Sequence, residues 1–179
     1  MVGFYGRVAK AVPYVSLCVL VLGVAIVARS APAPKAKAAV PAGDNWYSYG
    51  GDSGGTHYST LRQITKANVG QLKEAWRFVT PDAGSVETTP LIVDGTMYVV
   101  TARQKVIALD AATGKQKWIF DSGVGVNSAT RGLAFWTDGK ESRLFSSVAS
   151  YIYAINAADG TGIRDFGDNG RIDLRDDET

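Results

Sequence analysis

The stretch Ala108-Leu-Asp-Ala-Ala-Thr-Gly-Lys-Gln-Lys-Trp118 is followed 46 residues later by a weaker copy of itself. The positions that align without a gap are Ala108 with Ala154, Asp110 with Asn156, Gly114 with Gly160, and Phe120 with Phe166. Internal similarity at a period of about 40 to 50 residues is typical of stacked or radially arranged units, none of which buries its apolar face alone. The chain is therefore predicted to be part of a repeat protein, and two copies are too few to close a ring.

The residues of this motif suggest a structural role. Ala108 is small, which suits a position where a neighbouring side chain must lie flat. Asp110 can accept backbone hydrogen bonds in the turn that follows, and Gly114 can supply a positive φ there. Trp118 offers a broad ring that can pack across the boundary between units while its N–H finds a carbonyl oxygen. In the second copy Arg164 stands at the tryptophan position, so we expect that boundary to be held differently.

Short apolar and β-branched runs separated by turn residues predict strands through most of the chain after residue 90. The first unit contains Leu91–Val93, Thr96–Thr101, Val106–Leu109 and Lys117–Phe120, and the second contains Phe135–Trp136, Arg143–Val148 and Tyr151–Ile155. Asp94-Gly95 between the first two strands predicts a tight hairpin turn. Four short antiparallel strands per unit are typical of one propeller blade. The predicted fold is all-β, a partial β-propeller of about two blades.

The segment before the first strand shows a different pattern. Trp46 to Tyr58 is rich in glycine and aromatic residues without a sustained period, which indicates a loop-rich segment. Thr65–Trp76 opens with a candidate N-cap residue and carries apolar residues at helical spacing, which predicts a short helix. The residues Ala75–Val79 are then predicted to turn into a strand.

Composition limits the class of protein. Of 179 residues, 46% are hydrophobic and 20 are glycine, which suits many short strands joined by tight turns. The formal net charge is only +2, and no basic stripe alternates with aromatic residues, so a nucleic-acid partner is not predicted. Cys18 is the single cysteine of the sequence, so no internal disulfide can form.

The N-terminal residues have the composition of a targeting segment. An uncharged run from Ala11 to Ala28 is preceded by Lys10 and followed by Arg29. Residues 1–30 are predicted to form an apolar helix that is either a cleaved signal peptide or a single membrane anchor, and both alternatives remain open. Residues 31–43 are predicted to form a linker rich in Ala, Pro and Lys. In either case we expect a periplasmic protein, anchored to the inner membrane by residues 11–28 or released.

Several motifs together resemble a known family. They are Trp46-Tyr-Ser-Tyr-Gly-Gly51, Tyr58–Ile64, Asn68–Trp76, Glu87-Thr-Thr-Pro90, the motif at 108–118, Arg131–Trp136, and Phe166–Gly170. In this order they resemble the N-terminal part of quinoprotein dehydrogenases, which use pyrroloquinoline quinone (PQQ), and they cover residues 44–179. The resemblance implies an eight-bladed propeller with the quinone and a calcium ion near its axis. It also implies oxidation of a sugar or alcohol substrate, with electrons passed to a respiratory acceptor, ubiquinone or cytochrome c.

The branch of the family is indicated by one departure. Alcohol-oxidising members of the family carry adjacent cysteines a few residues before the arginine that corresponds to Arg131. Here the matching stretch, Gly123–Ser128, contains no cysteine. This favours the membrane-associated glucose and polyol dehydrogenases, with a portion of a PQQ-dependent alcohol dehydrogenase as the alternative. A non-catalytic propeller scaffold of the cell envelope is a third interpretation.

The resemblance assigns two cofactor-binding residues to this chain, Glu87 and Arg131. A guanidinium suits a planar tricarboxylate quinone, and it can also compensate a carboxylate that lies beside an anionic cofactor. No metal site is predicted within the chain, since His57 has no other ligand-type side chain at suitable spacing. We expect the calcium ligands and the catalytic residues, including an aspartate base, beyond Thr179, and we therefore expect this chain alone to be inactive. Arg103 and Lys105, in a loop between strands, are predicted to be exposed.

Overall fold

The computed structural model describes residues 45–126, 128 and 130–175. The predicted targeting segment with its apolar helix, at residues 1–30, and the linker at 31–43 lie outside the described residues. In the part of the chain that the structure describes, no helix is long and apolar enough to span a bilayer. The sole element outside the sheets in these ranges is a short 3₁₀ turn at Val69–Gln71.

Two four-stranded antiparallel sheets make up the described fold, and each follows the order of the chain. The first consists of β1 (Leu91–Val93), β2 (Thr96–Val100), β3 (Val106–Asp110) and β4 (Gln116–Phe120). The second consists of β5 (Leu133–Thr137), β6 (Ser142–Val148), β7 (Tyr151–Asn156) and β8 (Arg171–Asp173). The sequence-based prediction of an all-β protein with two blade-like units is confirmed.

The turns of the first sheet follow the predicted chemistry. Asp94 and Gly95 have φ of 48° and 71°, so both central residues of the β1–β2 hairpin adopt the left-handed conformation that a two-residue turn requires. After β3, Asp110 Oδ1 accepts hydrogen bonds from the backbone N–H of Ala112 at 3.2 Å and of Thr113 at 2.9 Å. These bonds close the turn that leads into β4.

Each motif glycine lies beneath a tryptophan ring from the preceding segment of the chain. A Cβ placed on Gly114, which has a φ of +70°, would lie 2.4 Å from Cε3 of Trp76. A Cβ on Gly160, with a φ of +78°, would lie 2.6 Å from Cε3 of Trp118. The two indole N–H groups donate to the carbonyl oxygens of the same turns, Trp76 to Ala111 at 3.1 Å and Trp118 to Ala157 at 3.3 Å. The prediction that Trp118 packs across the boundary between units is therefore confirmed.

The core is continuous between the two sheets. It is formed by alternate residues of the strands, which point to one side of each sheet. Its fully buried members include Leu91, Val100, Val106, Ala108, Leu144, Val148 and Ile155. Tyr98, on β2, spans the boundary, because its hydroxyl donates to the carbonyl oxygen of Ala157 at 3.1 Å. Phe120 and Tyr153 add an edge-to-face ring contact at 5.6 Å between centroids.

The predicted helix at Thr65–Trp76 is wrong. Asn68 Oδ1 accepts from the backbone N–H of Thr65 at 2.7 Å, and its amide donates to the carbonyl of Gln63 at 2.8 Å. Such local side-chain bonds compete with helical hydrogen bonds. The apolar side chains that suggested a helical face, Val69 and Leu72, are more than half exposed, so no packing supports a helix there.

Two further expectations differ from the structure. Residues Ala75–Val79 form no strand, and Trp76 is held instead by its contact with Gly114. The second repeat departs from the first after Gly160. The residues that align with β4 form only a single bridge, Ile155 to Gly162, and the fourth strand of the second sheet lies later, at Arg171–Asp173.

Candidate functional site

The residues that precede the first strand of each sheet approach one another. Glu87 lies just before β1, and Arg131 lies just before β5. Gly132, next to Arg131, has a φ of +142°, and a Cβ placed on it would lie 3.6 Å from Oγ1 of Thr88 and 3.8 Å from the carbonyl oxygen of Thr89. The fold therefore brings the chain segments of both predicted cofactor-binding residues to the same end of the two sheets.

Both predicted site residues are exposed there. Neither the carboxylate of Glu87 nor the guanidinium of Arg131 has a hydrogen bond or ion pair with another described residue. Beside them, Oγ1 of Thr88 is buried and also has no hydrogen-bond partner within the described ranges. A buried hydroxyl without a partner carries a free-energy cost of about 1 to 3 kcal/mol. This end of the sheets thus presents an anion, a cation and an unused hydroxyl.

The β2–β3 hairpin forms ion pairs with the segment before β1 and with the segment after β4. Nζ of Lys105 lies 3.0 Å from a carboxylate oxygen of Asp121 and 3.5 Å from one of Asp82. Asp82, whose side chain is only 6% exposed, also accepts a hydrogen bond from the hydroxyl of Thr101. Lys105 is 26% exposed and paired, so the prediction that it is an exposed loop residue is wrong. Arg103 is exposed, as expected.

The charges of this cluster reinforce one another. The hydrogen bond to Asp121 raises the pKa of Lys105 above its usual value. The pKa of Asp121 is lowered, first by the backbone N–H of Gly123, which donates to its carboxylate at 2.9 Å, and then by Lys105. Both groups are therefore charged near neutral pH, and the ion pair is stable there.

A cleft of about 420 Å³ opens beside this cluster. Its wall is formed by Pro81, Asp82, Ala83, Arg103, Lys105, Asp121 and Gly123–Val126. Glu87 and Arg131 are not part of this wall, so the cleft and the predicted cofactor-binding pair are separate features. Among the residues described, no group of three or more His, Cys, Asp or Glu side chains is arranged to hold a metal ion.

His57 has a local structural role. Its backbone N–H donates to the carbonyl of Gly50 at 2.8 Å, and its ring meets the edge of Tyr49 at 5.7 Å between centroids. Sequence reasoning did not identify Thr88, Asp82 or the pairing of Lys105. No local sequence pattern marked them, because Lys105 pairs with Asp82 and Asp121 from other segments of the chain and Thr88 meets Gly132 of the second unit.

Comparison with known proteins gives a consistent result. A family model described as the glucose/ethanol/alcohol dehydrogenase β-propeller domain, of the PQQ type, matches residues 46–179. Quinoprotein glucose dehydrogenase A of Acinetobacter calcoaceticus is 32% identical over 178 residues, which are 80% of this chain and 22% of that protein. The dehydrogenase subunit of the quinone-type alcohol dehydrogenase of Gluconobacter oxydans (strain 621H) is 40% identical over 124 residues, 65% of this chain and 16% of that protein.

A solved structure agrees with these sequences. The quinohemoprotein alcohol dehydrogenase of Comamonas testosteroni superposes with a TM-score of 0.60 at 31% identity, over 66% of this chain and 18% of that one. The chain spans about a fifth of the length of the relatives that it matches.

Proposed function

The chain belongs to the PQQ-dependent glucose, ethanol and alcohol dehydrogenase β-propeller family, and on this premise we propose that it is the N-terminal portion of a dehydrogenase that oxidises a hydroxyl group of glucose or another sugar or polyol. In this proposal Glu87 and Arg131 contact the quinone. The complete protein passes electrons to the respiratory chain, through ubiquinone or cytochrome c, and the described chain alone is inactive.

One observation supports the cofactor-binding role above all others. Gly132 packs against Thr88 and Thr89, so the segments that carry Glu87 and Arg131 lie side by side at one end of adjacent sheets. In a propeller the strands nearest the axis begin and end around the central channel, where ligand sites of this architecture are found. Because neither Glu87 nor Arg131 makes a hydrogen bond or ion pair with another described residue, both side chains are free to contact a ligand at this position.

The residues present fit a planar polyacid quinone. The guanidinium of Arg131 offers a rigid fork of donors that matches carboxylate oxygens. The unpaired hydroxyl of Thr88 can donate a further hydrogen bond if it reorients, which removes the cost of leaving it buried without a partner. Glu87 can accept a hydrogen bond from the ligand, and the positive charge of Arg131 offsets the repulsion between Glu87 and an anionic ligand. When bound, the quinone supplies the acceptor for the hydride that leaves the substrate carbon.

Other parts of the proposed site lie outside these residues. The calcium ion, its ligands and the aspartate base are expected in further blades beyond Thr179. A base must lie within hydrogen-bond reach of the proton that it removes, and no described residue is assigned that role. The protein is proposed to act in the periplasm, either anchored to the inner membrane by residues 11–28 or released after cleavage of a signal peptide.

The substrate class has a close alternative, because the relatives include both glucose and alcohol dehydrogenases. The absence of adjacent cysteines in Gly123–Ser128 supports the sugar and polyol branch. The complete gene product, assayed with glucose, a polyol and ethanol, separates the two. Preferential turnover of ethanol would contradict the sugar assignment.

Cofactor binding is tested on the complete gene product. PQQ is titrated into this protein and followed by quenching of tryptophan fluorescence, for the unaltered protein, for Arg131→Gln, and for Arg77→Gln as a control that removes an equal charge from an exposed position. Loss of a charge-assisted hydrogen bond of about 1.5 to 3 kcal/mol weakens binding by about tenfold to a hundredfold. We expect that loss for Arg131→Gln only. A folded complete protein that does not bind PQQ would instead favour the non-catalytic scaffold.

A further inference from the structure

The tip of the β2–β3 hairpin carries a buried glutamine whose side chain links three parts of the chain. Gln104 is only 6% exposed. Its Nε2 donates to the carbonyl oxygen of Ser128 at 2.8 Å and to the hydroxyl of the same residue at 3.2 Å. Its Oε1 accepts a hydrogen bond from the backbone N–H of Ala149 at 3.0 Å. Ala149 lies in the β6–β7 turn, so this one amide joins the first sheet, the second sheet and the segment between them.

The backbone of Gln104 is itself unusual. Its φ of 62° is in the left-handed region, which a residue with a Cβ adopts at a cost and which glycine adopts freely. The tip of a hairpin would thus favour glycine if only the turn mattered. Because a glutamine side chain is required for the three hydrogen bonds, these contacts give a physical reason for its presence at this position.

The segment so held is the one that leads into Arg131. Ser128, bound by Gln104, lies three residues before Arg131. On the other side, the hydroxyl of Thr130 lies 3.1 Å from that of Ser147 on β6. Ser128 is therefore held from the first sheet and Thr130 from the second, directly before the guanidinium-bearing residue.

We propose that Gln104 is a positioning residue for the cofactor site, which acts by holding Ser128, three residues before Arg131, so that Arg131 faces the ligand. This inference rests on the proposed function, because it needs Arg131 to contact the quinone. Lys105, next in the chain, anchors Asp121 and Asp82 and so holds the beginning of the same connection and the segment before Glu87. The hairpin thus supports both segments from one place, and Gln104 acts on the arginine side.

The test uses the complete gene product and PQQ as the probe. Gln104→Gly removes the side chain while it relieves the left-handed backbone, so the variant is expected to fold. Gln116→Ala, at an exposed position on β4, is the matched control. Binding is measured by fluorescence quenching and by the absorption spectrum of the bound quinone, and amide hydrogen exchange is measured at Ala149, whose N–H donates to Gln104. We expect faster exchange at Ala149 and binding about tenfold weaker for Gln104→Gly, as for a site that is competent about a tenth of the time.

A second background separates positioning from general stability. In Arg131→Gln there is no guanidinium to position, so Gln104→Gly should change PQQ binding there by less than about twofold. An equal loss in both backgrounds would assign Gln104 a merely structural role and overturn the inference. An unaltered PQQ affinity for Gln104→Gly, measured while the parent protein binds PQQ normally, would also overturn the inference. The proposed function would then stand. If the folded complete gene product does not bind PQQ, the proposed function fails and the inference falls with it.

Discussion

A single methyl group at Gly160 tests the contact that joins the two sheets. Gly160→Ala places a Cβ 2.6 Å from Cε3 and 2.7 Å from Cδ2 of Trp118, where carbon atoms need about 3.5 Å or more. Both atoms belong to a rigid indole, so the ring must move away as a whole. Movement also breaks the hydrogen bond from Nε1 of Trp118 to the carbonyl of Ala157, now 3.3 Å long.

The magnitude follows from three contributions. Alanine in the left-handed conformation, at a φ of +78°, costs about 1 to 2 kcal/mol. Forcing an extra methyl into a packed contact costs about 1 to 3 kcal/mol. The hydrogen bond of the indole contributes about 1 kcal/mol. We therefore expect Gly160→Ala to lower the free energy of unfolding by about 3 to 6 kcal/mol.

Gly95→Ala provides the matched control. Gly95 has a φ of +71°, but a Cβ there would have no atom within 4 Å, so only the backbone contribution of about 1 to 2 kcal/mol applies. Unfolding of the chain and both variants in urea is followed by circular dichroism. An equal loss of stability at Gly95 and Gly160 would refute the argument that the indole contact links the sheets.

Two further predictions concern residues packed on or within the first sheet. Trp76→Phe keeps an aromatic ring over Gly114 but removes the donor to the carbonyl of Ala111. We therefore expect a loss of about 1 to 2 kcal/mol in urea unfolding, against less than about 1 kcal/mol for Trp136→Phe, because Trp136 is 44% exposed. Burial raises the pKa of Tyr98. The stability that the protonated Tyr98 contributes is therefore complete below about pH 10, where the tyrosine of the unfolded chain ionises, and is lost as the pH rises further. Urea midpoints measured at about pH 8 and 10.5 should thus fall less with pH for Tyr98→Phe than for the parent chain, and an identical fall would contradict the assignment.

Only part of the candidate site could be identified from the sequence. Glu87 and Arg131 were singled out because of their place within family-like motifs, and their role in cofactor binding stays a prediction. Thr88, Asp82 and Gln104 carried no local signal, because their significance depends on residues between 19 and 45 positions away. Lys105 was interpreted as exposed for the same reason, since both of its acidic partners come from other segments.

The sequence by itself determined most of the strands, the hairpin turns and the positive φ of the motif glycines, because these depend on side-chain alternation and on turn hydrogen bonds within a few residues. Only the tertiary structure decided the rest. Thr65–Trp76 has helical spacing but no surface on which to bury an apolar face, so Asn68 and its local hydrogen bonds prevail there. The fourth strand of the second sheet lies at Arg171–Asp173 because pairing with Tyr151–Tyr153 selects it, and a pairing partner on another strand is invisible to a local pattern.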